Sequence, residues 1–161
     1  MGLFNRAKKN NIKSLFKKGN KHLEKGEFDK ALKYYNKILE LDPINSDAWY
    51  NKGQVFLKTK RYTESLEFLD KSLELEPNNI KTVTDKGLAL ASIYKYEDSL
   101  DCFDQALKLN PNNAEIWYRK GLVLGKNKKF SEAEEHFDQA LKLDPDFEPA
   151  QKAKTIFLTE F

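Results

Sequence analysis

One cysteine in 161 residues, Cys102, closes off two classes at once. No disulfide can form within the chain and no cysteine-based metal cluster can assemble, which fits a reducing compartment and sets a cytoplasmic expectation. Histidine is nearly as rare: His22 and His136 are the only two, and with Cys102 they fall short of a zinc ligand set, so no metal is expected. No run of 18 apolar residues occurs, so nothing is long and apolar enough to be a membrane-spanning helix. The start, residues 1–11, carries Arg6, Lys8 and Lys9 without an apolar core segment, which is not the pattern of a secretory signal. Gly2 invites acylation, but Arg6 stands where the myristoylation motif needs Ser or Thr. A glycine-rich phosphate loop is missing, as is any Ser/His/Asp or Cys/His set with a defensible spacing. The acids of Glu132, Glu134 and Glu135 follow a helix start, where negative charge favours the dipole. These absences set the expectation of a non-enzymatic chain with no cofactor.

Proline and glycine are scarce too, five and seven, and their scarcity makes their placement informative. Gly19, Gly53, Gly87 and Gly121 recur every 34 residues, and Pro43, Pro77, Pro111 and Pro145 keep the same beat. Trp49-Tyr50-Asn51-Lys52-Gly53 has a near copy in Trp117-Tyr118-Arg119-Lys120-Gly121, with weaker ones at Leu15–Gly19 and Val83–Gly87. Two independent markers on one period mean a repeat array in which each unit packs on its neighbours.

One unit shows how all are built. Ile12, Leu15, Phe16, His22 and Leu23 have helical spacing, Lys25-Gly26-Glu27 interrupts it, and Phe28, Ala31, Leu32, Tyr35, Ile38, Leu39 and Leu41 resume it. Asp42-Pro43 ends the second helix, because the residue before proline is pushed out of the α region. The chain therefore reads as a polar basic leader (1–11), repeats at 12–45, 46–79, 80–113 and 114–147, and a capping helix over 148–161. Within it, helices are predicted over about 46–59, 62–75, 80–93, 96–109, 114–127 and 130–143, each within two to four residues. Ser46 and Asn113 are expected as helix caps. Leu3 and Phe4 are expected either to tuck against the first helix or to belong to a loose end. Small residues on both helices, the repeat glycines opposite Ala31, Ser65, Ser99 and Ala133, are expected to bring the helices close. Trp49, Trp117, Phe56, Phe103 and Phe137 are expected to fill the joints.

This pattern resembles the tetratricopeptide repeat, whose signature runs Trp-x2-Leu-Gly-x2-Tyr, then Ala-x3-Phe, then Pro over 34 residues. The fourth unit matches best, with Trp117, Gly121, Ala133, Phe137, Ala140 and Pro145. Lys18, Lys52, Lys86 and Lys120 replace the Leu before each Gly, which is tolerable because a lysine stem can lie on apolar surface with its head in water. The resemblance implies an all-α, right-handed superhelical solenoid of helix-turn-helix repeats, and a protein-interaction scaffold that takes a peptide or a partner helix in a concave groove. It also implies which places face that groove. Among them are Phe16, Lys17 and Asn20; Tyr50, Asn51 and Gln54; Lys81 and Asp85; and Tyr118 and Arg119. Phe16, Tyr50 and Tyr118 are candidate anchors.

Three other readings remain. A sub-class of the family clamps the C-terminal carboxylates of heat-shock chaperones. Asn20, Asn51 and Lys81 stand at matching places, but Phe16 replaces a Lys and Asp85 replaces an Arg, and Asp85 would repel a carboxylate. A nucleic-acid-associated protein is the second, since residues 1–45 hold 11 Lys/Arg against 5 Asp/Glu while residues 46–161 hold 17 against 20. A self-assembling module is the third. Salt-dependent gel shifts and light scattering separate these from the adaptor.

Overall fold

The computed structural model describes the backbone of residues 2–160 and the side chains of residues 6–156. Leu3 and Phe4 thus lie outside the described side chains. The described residues form α1 (Gly2–Glu24), α2 (Phe28–Leu41), α3 (Ser46–Lys58), α4 (Tyr62–Leu75), α5 (Ile80–Ser92), α6 (Tyr96–Leu109), α7 (Ala114–Lys126), α8 (Phe130–Leu143) and α9 (Glu148–Glu160). Residues 2–11, read from sequence as a leader, continue α1. The chain divides into two compact units, Met1–Thr82 and Val83–Phe161.

One turn closes every hairpin. After α1 the Gly26 amide donates to the Leu23 carbonyl and the Glu27 amide to that of His22. Lys60/Arg61, Tyr94/Lys95 and Lys128/Lys129 repeat both bonds onto the ends of α3, α5 and α7. This is the Schellman ending, and it needs a left-handed residue at its centre. Gly26 supplies it at φ 72°, but Lys60, Tyr94 and Lys128 do so at 60°, 64° and 63°, as side-chain-bearing residues. The connections between hairpins end differently: Asp42, Glu76, Asn110 and Asp144 leave the helical region just before their prolines, φ between −145° and −133°.

The cap at Asn113 is as expected, its side chain accepting from the Ile116 amide at 3.2 Å. The cap at Ser46 is not. Asn45 caps α3, accepting from the Ala48 amide at 3.1 Å, and Asn79 accepts from the Thr82 amide at 3.2 Å. Ser46 is buried instead, its hydroxyl 3.1 Å from that of Ser72. A shift of one residue explains the difference: the Asn that ends each Pro-x-Asn loop has the extended backbone a cap requires.

The repeat glycines also do something other than face small residues alone. A Cβ on Gly19 would stand 2.7 Å from the Tyr35 ring, one on Gly53 2.7 Å from Leu69, and one on Gly121 2.6 Å from the Phe137 ring. Each glycine is thus the floor under a large, fully buried residue of its own second helix. Position 31 and its equivalents still need to be small, and in two hairpins they add a bond: Ser65 and Ser99 donate to the Gly53 and Gly87 carbonyls at 2.8 and 2.7 Å. Phe103 and Phe137 accordingly pack inside their own hairpins, against Gly87 and Gly121.

The tryptophans correct the joint reading as well. Trp49 and Trp117 are half-buried; Trp49 stacks on Phe68 at 6.1 Å and Trp117 tilts over His136 at 5.3 Å, each within its own hairpin. What reaches the preceding repeat is the indole N–H, donated to the Pro43 and Pro111 carbonyls at 2.9 and 2.8 Å. Gln151 on α9 repeats that bond to the Pro145 carbonyl at 2.7 Å, and Lys154 pairs with Asp138 as Lys120 pairs with Asp104, both at 2.6 Å. α9 lies against α8 and also meets α7. It is therefore built as the first helix of a further repeat.

Candidate functional site

In the first unit, α1 and α3 and the start of α5 turn one face onto an open cleft of about 610 Å³. Its lining includes Phe16 and Asn20 from α1, Asp47, Tyr50 and Asn51 from α3, and Lys81 from α5. The helices position these side chains through the packing beneath them. Gly19 lets α1 settle on Tyr35, and the buried Tyr35 hydroxyl donates to the Asn20 carboxamide oxygen at 2.9 Å. That bond occupies the acceptor side of Asn20 and leaves its NH2 to donate outward. Burial pushes Tyr35 up to about 12, so its hydroxyl keeps the proton it donates.

Gln54 stands one turn along α3 and donates to the Tyr50 hydroxyl at 2.6 Å. It lines an adjoining hollow of about 310 Å³ that shares Asn20 and Asn51 with the larger cleft. Six of the ten sequence-derived positions thus come together: Phe16, Asn20, Tyr50, Asn51, Gln54 and Lys81. Lys17 is exposed on α1 and lines neither hollow. The pair Asp47 and Lys81 gives the cleft one charge of each sign.

Sequence reasoning missed Asn78 and Asn79 of the loop before α5, and Ile80 at the start of that helix, which complete the lining. The groove places carried over from the family all lie on first helices, so a loop contribution was invisible. Its signal was the Pro77-Asn78-Asn79 run, since the cap at Asn79 fixes the loop against the helix start.

In the second unit, Tyr118 and Leu122 of α7 face Glu148, Pro149, Lys152, Ala153 and Ile156 of α9 across a hollow of about 420 Å³. Tyr118 meets Phe147 edge-on at 5.4 Å, and Ile156 is half-exposed. Arg119 lies outside that lining, paired with Glu115 at 2.6 Å. Asp85 is half-buried on α5. The structure therefore brings Tyr118 to an apolar hollow and leaves Arg119 to an ion pair. The contribution of α9 was missed because groove places were carried over only to the four full repeats, and the segment that begins a fifth was given none.

The repeat lysines take varied places. Lys52 lies 4.4 Å from the Phe68 ring centre, and burial lowers its pKa. Lys120 pairs with Asp104. His22 stacks on Tyr34 and bonds Glu27, and His136 bonds the Glu132 carbonyl at 2.7 Å, burial lowering its pKa. Among the described residues no group of three or more His, Cys, Asp or Glu is gathered to hold a metal. No helix among them is long and apolar enough to cross a membrane.

Comparison with known proteins agrees with the repeat geometry. Tetratricopeptide repeat families match residues 16–80 and 114–147, and a TPR repeat family matches 87–128. An uncharacterized protein of Methanocaldococcus jannaschii is 50% identical over 36 residues, 22% of this chain and 42% of that protein. The matched stretch thus spans less than half the length of that curated relative. The crystal structure of MamA superposes with a TM-score of 0.80 at 24% identity, covering 91% of this chain and 80% of that one. YrrB, described as a TPR protein with an unusual peptide-binding site, superposes with a TM-score of 0.80 at 24% identity, covering 89% and 74%. At such identities the likeness speaks for the fold, an all-α helical repeat solenoid. On these matches the chain belongs to the tetratricopeptide repeat family.

Proposed function

We propose that this chain is a non-enzymatic interaction scaffold that holds an extended peptide or partner helix in the first-unit cleft. The observation that carries this reading is the meeting of Phe16, Asn20, Tyr50, Asn51 and Lys81, contributed by three successive first helices, around one open cleft. The chemistry suits a peptide. Carboxamides carry a donor and an acceptor each and so match main-chain N–H and C=O groups, while Phe16 and Tyr50 offer ring surface for a side chain. The Tyr118 hollow with α9 gives the second unit an apolar contact of its own. YrrB, a structural neighbour described as having a peptide-binding site, supports the class of ligand.

The test begins with peptides selected from a random display library on the wild-type chain. Tyr50→Ala and Asn51→Ala, singly, are expected to weaken the best of them about tenfold, the loss of one well-placed contact. Far-ultraviolet circular dichroism is expected to stay unchanged. An unaltered dissociation constant in both variants would remove the cleft from the account.

A further inference from the structure

α1 differs from every other helix of this chain in its charge. Arg6, Lys9, Lys13, Lys17 and Lys21 recur at three- or four-residue steps, all exposed, so they form one row along a single helix face, about 6 Å per four-residue step. The helix has no acid in its first turn, and Glu24 is its one acid. None of these five cations makes an ion pair among the described residues. Elsewhere Lys30, Arg61, Lys120, Lys129 and Lys154 each find a carboxylate within 3.3 Å, while Lys25, Lys33, Lys58 and Lys60 do not; the row is set apart by five unpaired cations sharing one helix face.

The row carries an electrostatic cost in the free protein. Lys9–Lys13, Lys13–Lys17 and Lys17–Lys21 are three like-charge neighbours at one-turn spacing, each destabilising. A bound anionic chain would relieve this repulsion. The row also borders the cleft, because Lys13 and Lys17 flank Phe16 on the same helix, and Phe16 and Asn20 line it. Lys81 adds a cation to the lining, against Asp47 alone of opposite sign.

We infer that the occupant of the first-unit cleft is an acidic peptide segment, its carboxylates set against the α1 lysine row and an apolar side chain against Phe16 and Tyr50. This rests on the peptide-binding reading above and adds the partner's chemistry to it. Recognition by a row of side chains differs from a clamp on one terminal carboxylate, for which Phe16 and Asp85 are the wrong residues. An acidic segment within a longer partner fits as well as an end. A peptide fits better than a nucleic acid, because the carboxamides in the cleft wall match main-chain groups and an acidic peptide can set an uncharged residue opposite Asp47, whereas every nucleotide of a strand carries a phosphate.

The test uses the full chain and four probes. They are a capped twelve-residue peptide of Glu-Glu-Phe-Ser repeats, its counterparts with Gln for Glu and with Ser for Phe, and a twelve-nucleotide poly-thymidine strand. The Glu peptide is expected to bind at least about tenfold tighter than the Gln peptide, and to weaken steadily with added salt. Lys9→Glu with Lys17→Glu turns the three like-charge contacts into opposite ones. That double variant is expected to lose about tenfold in affinity for the Glu peptide while its melting temperature rises, a combination that a merely structural row would not give.

Equal binding of the Glu and Gln peptides, no binding of either, unchanged affinity in the double variant, or tighter binding of the poly-thymidine strand would each overturn the inference. Tyr50→Ala separates the two levels. Charge-independent binding that Tyr50→Ala abolishes keeps the cleft and discards the acidic partner. Charge-dependent binding that neither Tyr50→Ala nor Phe removal touches keeps the lysine row and discards the cleft.

Discussion

Replacing Gly121 by alanine tests the packing logic of the hairpin at its tightest point. In an ordinary helix interior the change gains about 0.5–1 kcal/mol, since glycine is the more flexible residue. Here the new Cβ would stand 2.6 and 2.8 Å from two atoms of the Phe137 ring and 3.2 Å from the Ala133 carbonyl oxygen. Phe137 is fully buried, so the ring has no solvent side to yield into. Overfilling such a site costs about 1–3 kcal/mol, which outweighs the propensity gain and leaves a net loss of about 1–2 kcal/mol. Gly87→Ala is the internal control, because its nearest contacts lie at 3.1–3.3 Å and the two terms should nearly cancel. Urea unfolding followed by circular dichroism reads the global effect, and tryptophan fluorescence in a Trp49→Phe background reads Trp117 in the hairpin that carries the change. The reasoning fails if Gly121→Ala stabilises the protein, or if Gly87→Ala is the more harmful of the two.

Tyr94→Gly is expected to stabilise by about 1 kcal/mol, because a left-handed backbone costs a side-chain-bearing residue about 1–2 kcal/mol and Tyr94, 79% exposed, has little packing to lose; thermal unfolding checks it. Ser65→Ala is expected to cost no more than about 1 kcal/mol in urea titration, the net worth of its bond to the Gly53 carbonyl, since Ala31 and Ala133 fill the same place in other hairpins. Glu27 is hydrogen-bonded by Lys30 and His22, which holds its carboxyl at about 2, below the ordinary 4.5. A carboxylate depressed on folding stabilises above its unfolded pKa and loses that contribution as pH falls. Glu27→Gln should therefore flatten the pH dependence of the melting temperature between about 4.5 and 2, and an unchanged slope would contradict the pairing.

The sequence made the hairpins legible because two scarce residue types mark them on one period. Phe28, Tyr62, Tyr96 and Phe130 each open a second helix as read, since an apolar period resuming after a break is a local signal. Caps were less legible. Asn45 and Ser46 are both good cap formers and adjacent, and only the backbone decides between them. The left-handed residues were hidden for another reason: Lys60 and Lys128 do not favour that conformation, and only their 34-residue register with Gly26 gives them away. At the cleft, Phe16, Asn20, Tyr50, Asn51 and Lys81 come together because the period fixes which face of a first helix they occupy. Asn78 and Asn79 were not legible in the same way, since a loop's reach depends on its closure. The environment of Arg119 was beyond the pattern too, because its ion pair depends on Glu115, a residue outside the family signature.

The most direct test of the scaffold reading is calorimetric titration of a display-selected peptide into the wild-type chain and into Tyr50→Ala, with Tyr94→Gly, in the turn between α5 and α6, as a control. The account predicts that Tyr50→Ala weakens binding about tenfold or more, that Tyr94→Gly binds like wild type, and that both variants stay helical. Wild-type affinity in Tyr50→Ala, or a loss confined to Tyr94→Gly, would contradict it.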